Sequence, residues 1–454
     1  MAKARVLIPN GALGLGFDPA ALARGVAASP DIIAVDGGST DSGPSYLGRG
    51  VSKYSRAATK AEWRQLMLAR AEAGVPLVIG TAGTCGADSA VDWLFDITRE
   101  LAVELAQQLK VTRLYCGQSP GGVAGALGAG RLTALPGAPE ISDESVRNCT
   151  NIVALAGVEQ IGAALNTGAD IVIAGRTTDT AIIAALPIMR GCHAGAAWHG
   201  AKVGECGAIA TTQPASGSIQ IDFDETGFTF TPLGAATRAT PYTVSAHMLY
   251  ENTDPFILHE PGGHLDVTAA RYVALDAKRV RVEGAAWVPG PYTVKLEGAR
   301  ITGYQAVSLT LLRDRRYVEN AADWAADITR RSQEKTQSRT GLGPTDYAIE
   351  LRLIGLNATL GALESQAGRP AEIGVLAIAT APTEALASEI SKILNPYLLH
   401  HALTDDEPMP TFAFPFSPAE MPRGALYEFA LNHVMALDDP MAAFRLQTDE
   451  VRHE

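Results

Sequence analysis

The residues able to do chemistry in this chain of 454 residues cluster where short apolar runs give way to polar loops. Five such loops are IPNGALGLGFD (8–18), DGGSTDSGPSYLG (36–48), GTAGTCGADS (80–89), GQSPGG (117–122) and GRTTDT (175–180). Asp36 closes an apolar run, and Asp41 follows five residues on. A charge in such a place must be hydrogen-bonded or paired. Arg176 is the nearest cationic candidate and precedes Asp179 by three residues. Two readings stay open. In one, Asp36 and Asp179 move protons while Arg176 holds a substrate carboxylate bidentately, oriented by Asp179 with donors to spare. In the other, these carboxylates cap helices or tie loops, and Arg176 pairs with Asp179. Asn10, Ser39 and Thr84 are substrate-binding candidates in the same loops, and the backbone N–H groups of 83–86 and of Gly121 and Gly122 are placed to stabilise an enolate-like oxygen.

Two cysteines stand out. Cys85 lies in GTAGTCG at a strand-to-helix loop, and Cys206 lies in GECGA beside Glu205. Near a helix N-terminus a thiolate is stabilised, so either could be a nucleophile or proton carrier. The alternative is a small buried residue, which is the reading for Cys116, Cys149 and Cys192. The odd number and the lack of CxxC predict free thiols in a reducing compartment. The stretch LHEPGGHLDVT (258–268) carries His259, Glu260, His264 and Asp266, residue types that ligate divalent metals. The spacing is not HExxH, and the Pro-Gly-Gly turn precludes a helix presenting both histidines on one face. No metal ligand is therefore assigned, although a divalent metal stays open, and His259 and His264 are taken as substrate-facing. Gly11, Gly14 and Gly16 miss GxGxxG, and no GKS or GKT follows a strand. No redox cofactor is expected.

The elements that must hold these residues alternate. Apolar runs at 6–8, 32–35, 77–79, 114–116 and 171–174 alternate with helical stretches from Pro19, near 60–73, up to Lys110 and over about 143–165. This pattern predicts an α/β fold with a parallel sheet covered on both faces. Ligands bind outside the carboxyl ends of such strands, so all five loops should share one rim. A hairpin is expected at 218–223 and 228–232, with Gly227 in a left-handed turn position. After Pro289 the order ββαββα (strands 292–297, 301–312, 348–354 and 373–380; helices 321–337 and 383–394) predicts a smaller α+β, ferredoxin-like module. A Pro-rich stretch at 408–422 leads to a last expected helix near 424–436. The expected domains are 1–288 for ligand binding and catalysis, 289–400 for the α+β module, and 401–454 for the C-terminal segment.

Composition narrows the function. Lys and Arg total 37 against 49 Asp and Glu, a net charge of −12, which argues against nucleic-acid binding. Hydrophobic residues make up 47% and charged ones 19%, as in a folded globular protein. There is no signal-peptide pattern and no apolar run near the roughly 20 residues that span a bilayer, so a soluble cytoplasmic protein without membrane partners is expected. Low charge with high apolar content predicts a homo-oligomer joined through the second module.

GADIVIAGRTTDTA (168–181), ECGA at Cys206, TVSAHMLYE (243–251) and HLDVTAARY (264–272) together resemble the acyclic terpene utilisation AtuA family. The resemblance covers about residues 5–355, more loosely in the opening loop and around Cys85. It implies a part in carboxylic-acid or acyl-CoA catabolism, and its matching positions are Gly175, Arg176, Asp179, Glu205, Cys206 and Gly207. The second loop departs from the family pattern, and the low aromatic content suits a small polar acid better than a prenyl chain. The expected function is thus a lyase, hydratase or isomerase acting on a small carboxylate or acyl-CoA, with Asp36, Cys85, Asp179, Glu205 or Cys206 moving protons. The alternative is a non-catalytic ligand-binding or scaffold subunit of a multi-enzyme catabolic system.

Overall fold

A computed structural model describes residues 4–365, 368 and 370–452. The chain divides into two units, Met1–Arg300 with Phe429–Glu454, and Ile301–Glu428.

The first unit is built on short runs rich in Val, Ile and Ala that are buried along their whole length, such as Ile32–Asp36, Leu77–Gly80 and Ile171–Ala174. Alternation along these strands feeds two cores. Leu7, Ile33, Val35, Leu77, Ile79, Ile171 and Ile173 pack with residues of helices Pro19–Ala27, Arg56–Ala73 and Asp88–Glu104. Val6, Ile8, Ile32, Ala34, Val78, Val172 and Ala174 pack with helices Ala181–Met189 and Ala194–Gly204. With both faces covered, strand residues on either side must be apolar, which explains the unbroken hydrophobic runs. Asp18 and Ser55 cap the first two of these helices by accepting from the backbone.

The sheet is mixed and ten-stranded. Its centre is five parallel strands in the order Ala4–Ile8, Ile32–Asp36, Leu77–Gly80, Ile171–Ala174 and Leu109–Tyr115. Antiparallel strands flank it: Ile219–Phe223, Gly227–Pro232, Val280–Glu283 and Arg271–Ala274 on one side, and Arg445–Val451 on the other. Because these five run parallel, their carboxyl ends lie along one side of the sheet. Ile171–Ala174 inserts beside Leu77–Gly80 out of chain order. The helices that follow these two neighbours pack into opposite cores. That makes a topological switch point, where an open α/β sheet leaves a crevice for ligand.

Four expectations about elements are corrected. The stretch 143–165 is two short helices, Asp143–Arg147 and Val158–Leu165, around the strand Cys149–Ala154. Its β-branched centre finds a partner far away in sequence, at residues 296–300. The strands expected at 292–297 and 301–312 are one strand, Thr293–Leu312, with an irregularity at Ala299/Arg300. The expected helix near 424–436 is the strand Met421–Ala436, whose His433–Met435 pair with Leu132–Ala134. Pairing here outweighs a pattern that also suits a helix. Finally, Gly227 opens the strand Gly227–Pro232, and the reversal before it is held by Asp224, whose Oδ1 accepts from the N–H groups of Thr226 and Gly227.

In the second unit, residues 304–312 pair antiparallel with Ile373–Ala381, which pairs with Ala348–Ile354. Helices Ala321–Thr340 and Glu384–His400 pack on the face carrying Val375, Ala377 and Ala379. The return of the chain at Phe429 brings its last strand, Arg445–Val451, into the first unit's sheet. No helix among the described residues is long and apolar enough to cross a membrane. All five cysteines are free.

Candidate functional site

The rim at the switch point holds a buried charge cluster. Asp36 ends its strand buried and accepts from the Gly37 N–H at 2.8 Å. Arg176 stands two residues past the Ile171–Ala174 strand, 6% exposed. Its backbone N–H donates to Gly86 O at 3.0 Å. Only glycine fits at position 86, where φ is +63° and a Cβ would lie 2.4 Å from Arg176 N. The Arg176 fork faces Glu297: Nε donates to Oε2 at 3.0 Å and Nη2 to Oε1 at 3.4 Å. Nη1 donates to Thr177 O at 2.9 Å, and to Thr81 Oγ1 and Asp179 Oδ1 at 3.3 Å each. Glu297 also accepts from Thr40 Oγ1 and Lys295 Nζ. Burial pushes the Glu297 carboxyl up, but Arg176 ahead of Lys295 holds it down at about 2.

A second pair sits nearby. Helix Ala194–Gly204 is made almost wholly of small and apolar residues, so it packs closely and carries Lys202 into the interior. Lys202 Nζ donates to Glu205 Oε1. Glu260, from the hairpin of Ile257–Glu260 and Gly263–Asp266, accepts from Thr180 Oγ1 at 2.6 Å. These carboxyls outnumber the buried cations around them, and their acidities show it. Burial pushes Glu205 up to about 8, with Asp179 adding to the rise against Lys202. Burial pushes Glu260 up to about 7. Asp36 is raised well above the usual carboxylate range by burial and then by Asp179, and Asp179 is itself raised by burial. Burial thus favours the protonated form at each of these carboxyls, which is the form needed for general acid chemistry.

Two adjoining clefts open on it. The larger, about 690 Å³, is lined by Arg176, Asp179, Lys202, Glu205, Glu251 and Glu260 among others. The second, about 540 Å³, is lined by Asn10, Asp36, Thr84 and Cys206 and by Leu15, Tyr54, Ile209 and Tyr250. Ser39, Asp41, Asp179 and Glu251 belong to both.

The structure thus brings together most of the residues singled out from sequence: Asn10, Asp36, Ser39, Thr84, Arg176, Asp179, Glu205, Cys206 and His259 all line a cleft. It does not bring the rest. Cys85 is 1% exposed among Leu47, Ala87, Ala90, Val153 and Ala299, and burial raises its thiol. Gly121 and Gly122 open helix Pro120–Gly128 away from both clefts, and the Gly122 N–H donates to Ser119 Oγ. His264 faces His259 across the hairpin but lines neither cleft. Two geometric expectations are corrected. The main partner of Arg176 is Glu297 rather than Asp179, so its fork is already engaged. Cys206 follows the C-terminal end of helix Ala194–Gly204, where the dipole is negative, and burial followed by Glu205 pushes its thiol up.

Sequence reasoning missed Lys202, His247, Glu251 and Glu297. A lysine inside the run AGAAWHGAKVG, three residues before Glu205, was a usable signal for Lys202. Glu297 gave none, because it is one charge in an alternating strand whose partner lies 121 residues away. Among the described residues, one group could hold a metal: a carboxylate oxygen of Glu205, Cys206 Sγ and a ring nitrogen of His247 lie within 4.8 Å of one another.

The family model of the acyclic terpene utilisation family protein AtuA matches residues 52–404. The chain belongs to the AtuA family. Membership suggests a role in terpene or acid catabolism. The AtuA match takes in Arg176, Asp179, Lys202, Glu205, Cys206, His247, Glu260 and Glu297, and begins after Asn10, Asp36 and Ser39. It also runs into the second unit, beyond the stretch in which the resemblance was legible. No curated protein and no solved structure matches the chain.

Proposed function

We propose that this AtuA family member is a cytoplasmic enzyme of acid or acyl-thioester catabolism that moves a proton on the carbon next to a carbonyl, in a lyase, hydratase or isomerase reaction. The observation that carries the reading is Glu260, a carboxyl in the cleft wall oriented by Thr180 and poised at about 7. General acid–base catalysis is most effective when the group titrates near the working pH. In this reading Glu260 takes the α-proton as carboxylate. Lys202, which lines the same cleft, faces the enolate-like oxygen. Asp36 or Asp179, both raised by burial, returns a proton to the leaving group or to a neighbouring carbon.

The charge of the cleft bears on the substrate. Asp41, Asp179, Glu205, Glu251, Asp254 and Glu260 all line the larger cleft, while the Arg176 fork is turned to Glu297. The guanidinium in this cleft is engaged by Glu297 rather than turned to a substrate carboxylate, so an uncharged thioester carbonyl fits the reacting end better. Leu15, Ile209 and Tyr250 in the adjoining cleft offer an apolar surface to the rest of an acyl chain. The five free cysteines support a reducing compartment.

The test is solvent exchange. The full chain is incubated in D₂O with a panel of straight and branched acyl-CoA thioesters, and deuterium at the α-carbon is read by mass spectrometry. The proposal expects exchange with a pH profile breaking near 7 and a loss of about 100-fold or more in Glu260→Gln. Absence of exchange across the panel, with free acids as well, would overturn it in favour of a non-catalytic subunit.

A further inference from the structure

The structure assigns a site for a thiophilic divalent cation, of the zinc kind, to Glu205, Cys206 and His247, at the junction of the two clefts. Each of these residue types is a known ligand, and together they offer one oxygen, one sulfur and one nitrogen within 4.8 Å of one another. Glu205 lines the larger cleft and Cys206 the adjoining one, so a cation held between them would face the space in which a substrate must lie.

A second observation points the same way. His247 is 4% exposed, and its Nε2 has no hydrogen-bond partner. The ring is not free to turn. It stacks on Tyr250 at 5.4 Å. A neutral imidazole carries a lone pair on one ring nitrogen, and that nitrogen is the one that binds a metal. In a buried place an unmet nitrogen lone pair is costly, and a cation would satisfy it.

The remaining parts fit. Lys202 bonds Glu205 through Oε1 alone, which leaves the second carboxylate oxygen to a cation. The local sequence explains the convergence: helix Ala194–Gly204 ends just before Glu205, and Gly207, at φ +63°, turns the chain so that adjacent side chains reach different clefts. Tetrahedral bonds of roughly 2.0–2.3 Å set ligand atoms about 3.5 Å apart, so closure by about an ångström gathers the three side chains. Sulfur with nitrogen selects zinc-like ions over magnesium or calcium. Three protein ligands leave a fourth position open to the cleft, as in catalytic rather than structural sites. On loading, the Cys206 thiol and any proton held by Glu205 are given up to solvent, and the two bind as thiolate and carboxylate. The site stands on its own geometry and does not depend on Glu260 acting as the base.

The experiment uses the full chain stripped by chelator and titrated with Co²⁺, which reports on thiolate ligation through a near-ultraviolet sulfur-to-metal band. One equivalent should bind and the band should appear. Cys206→Ser should abolish the band, and His247→Gln should weaken binding by about 100-fold or more, since even second-shell changes cost 10–100-fold. Cys149→Ser, a change in a separate core, should leave the band intact. Circular dichroism of each variant separates ligand loss from unfolding. Failure of the wild type to bind, or a band that survives Cys206→Ser, would overturn the assignment. Glu260→Gln should keep the Co²⁺ band whatever it does to α-proton exchange, so the two readings fail separately.

Discussion

Replacing Glu297 by Gln should destabilise the protein strongly, although residue 297 lies outside every loop that first drew attention. Glu297 and Arg176 are both more than nine-tenths buried, and the carboxylate meets Nε and Nη2 of the guanidinium. The carboxyl stands at about 2 against an ordinary 4.5, which corresponds to about 3 kcal/mol of folded-state preference for its charged form. Removing one partner of a buried pair independently suggests about 3–5 kcal/mol, because the guanidinium left behind cannot be rehydrated. At about 1.5 °C per kcal/mol for a unit of this size, Glu297→Gln should melt roughly 4–8 °C below the wild type at pH 7. The pH dependence follows with a definite sign. A folded value below the unfolded one contributes stability that is complete above about 4.5 and is lost as pH falls toward 2, so the wild type should lose this advantage over Glu297→Gln across that window. Arg176→Lys, which keeps the charge but not the planar fork, should melt lower as well. Differential scanning calorimetry from pH 2 to 7 makes the measurement. A Glu297→Gln melt within about two degrees of wild type would show that the pair is worth little, and would return the Arg176 fork to the pool of groups available to a ligand.

Three further outcomes are expected. Glu260 is raised in the fold to about 7, so its contribution is complete below about 4.5 and lost as pH rises through 7; the wild-type melting temperature should fall between about pH 4.5 and 7, and Glu260→Gln should flatten much of that slope when measured by circular dichroism. Gly207→Ala should destabilise by more than the roughly 1–2 kcal/mol of a left-handed non-glycine residue, because its Cβ would meet Asn10 C and Gly11 N at 3.0 Å; an unchanged denaturant midpoint would contradict the backbone placement. The second unit exposes Leu311, Ile354, Leu360, Leu363, Met409 and Phe416, so a homo-oligomer joined through it is expected, and a monomer by light scattering at micromolar concentration would count against this.

How much of this was legible before the fold is visible in particular residues. The short strands around Ile32–Asp36, Leu77–Gly80 and Ile171–Ala174 announced themselves, because a parallel strand buried on both faces has no choice but to be apolar throughout. With the strands came the shared rim, and with the rim Asp36, Arg176 and Asp179, while Glu205 was singled out only beside Cys206 and by the family resemblance. The sequence by itself also determined that the charges at those strand ends needed partners. It could not say which ones. Glu297 reaches Arg176 across 121 residues, Glu260 reaches Thr180 across 80, and Lys202 enters the interior because its helix is narrow enough to pack closely. Cys206 shows the same division: its neighbours in sequence suggested a thiolate, whereas the end of the helix it occupies, and the burial around it, keep it a thiol. The strand Met421–Ala436 was unreadable for a related reason, since its pattern suits helix and strand alike and the decision was made by a partner far away in sequence, Leu132–Ala134. Local pattern fixes what is decided within a few residues, namely strand, turn and cap. Pairing, burial and the resulting proton occupancy depend on groups brought together from far apart, and those only the tertiary structure decided.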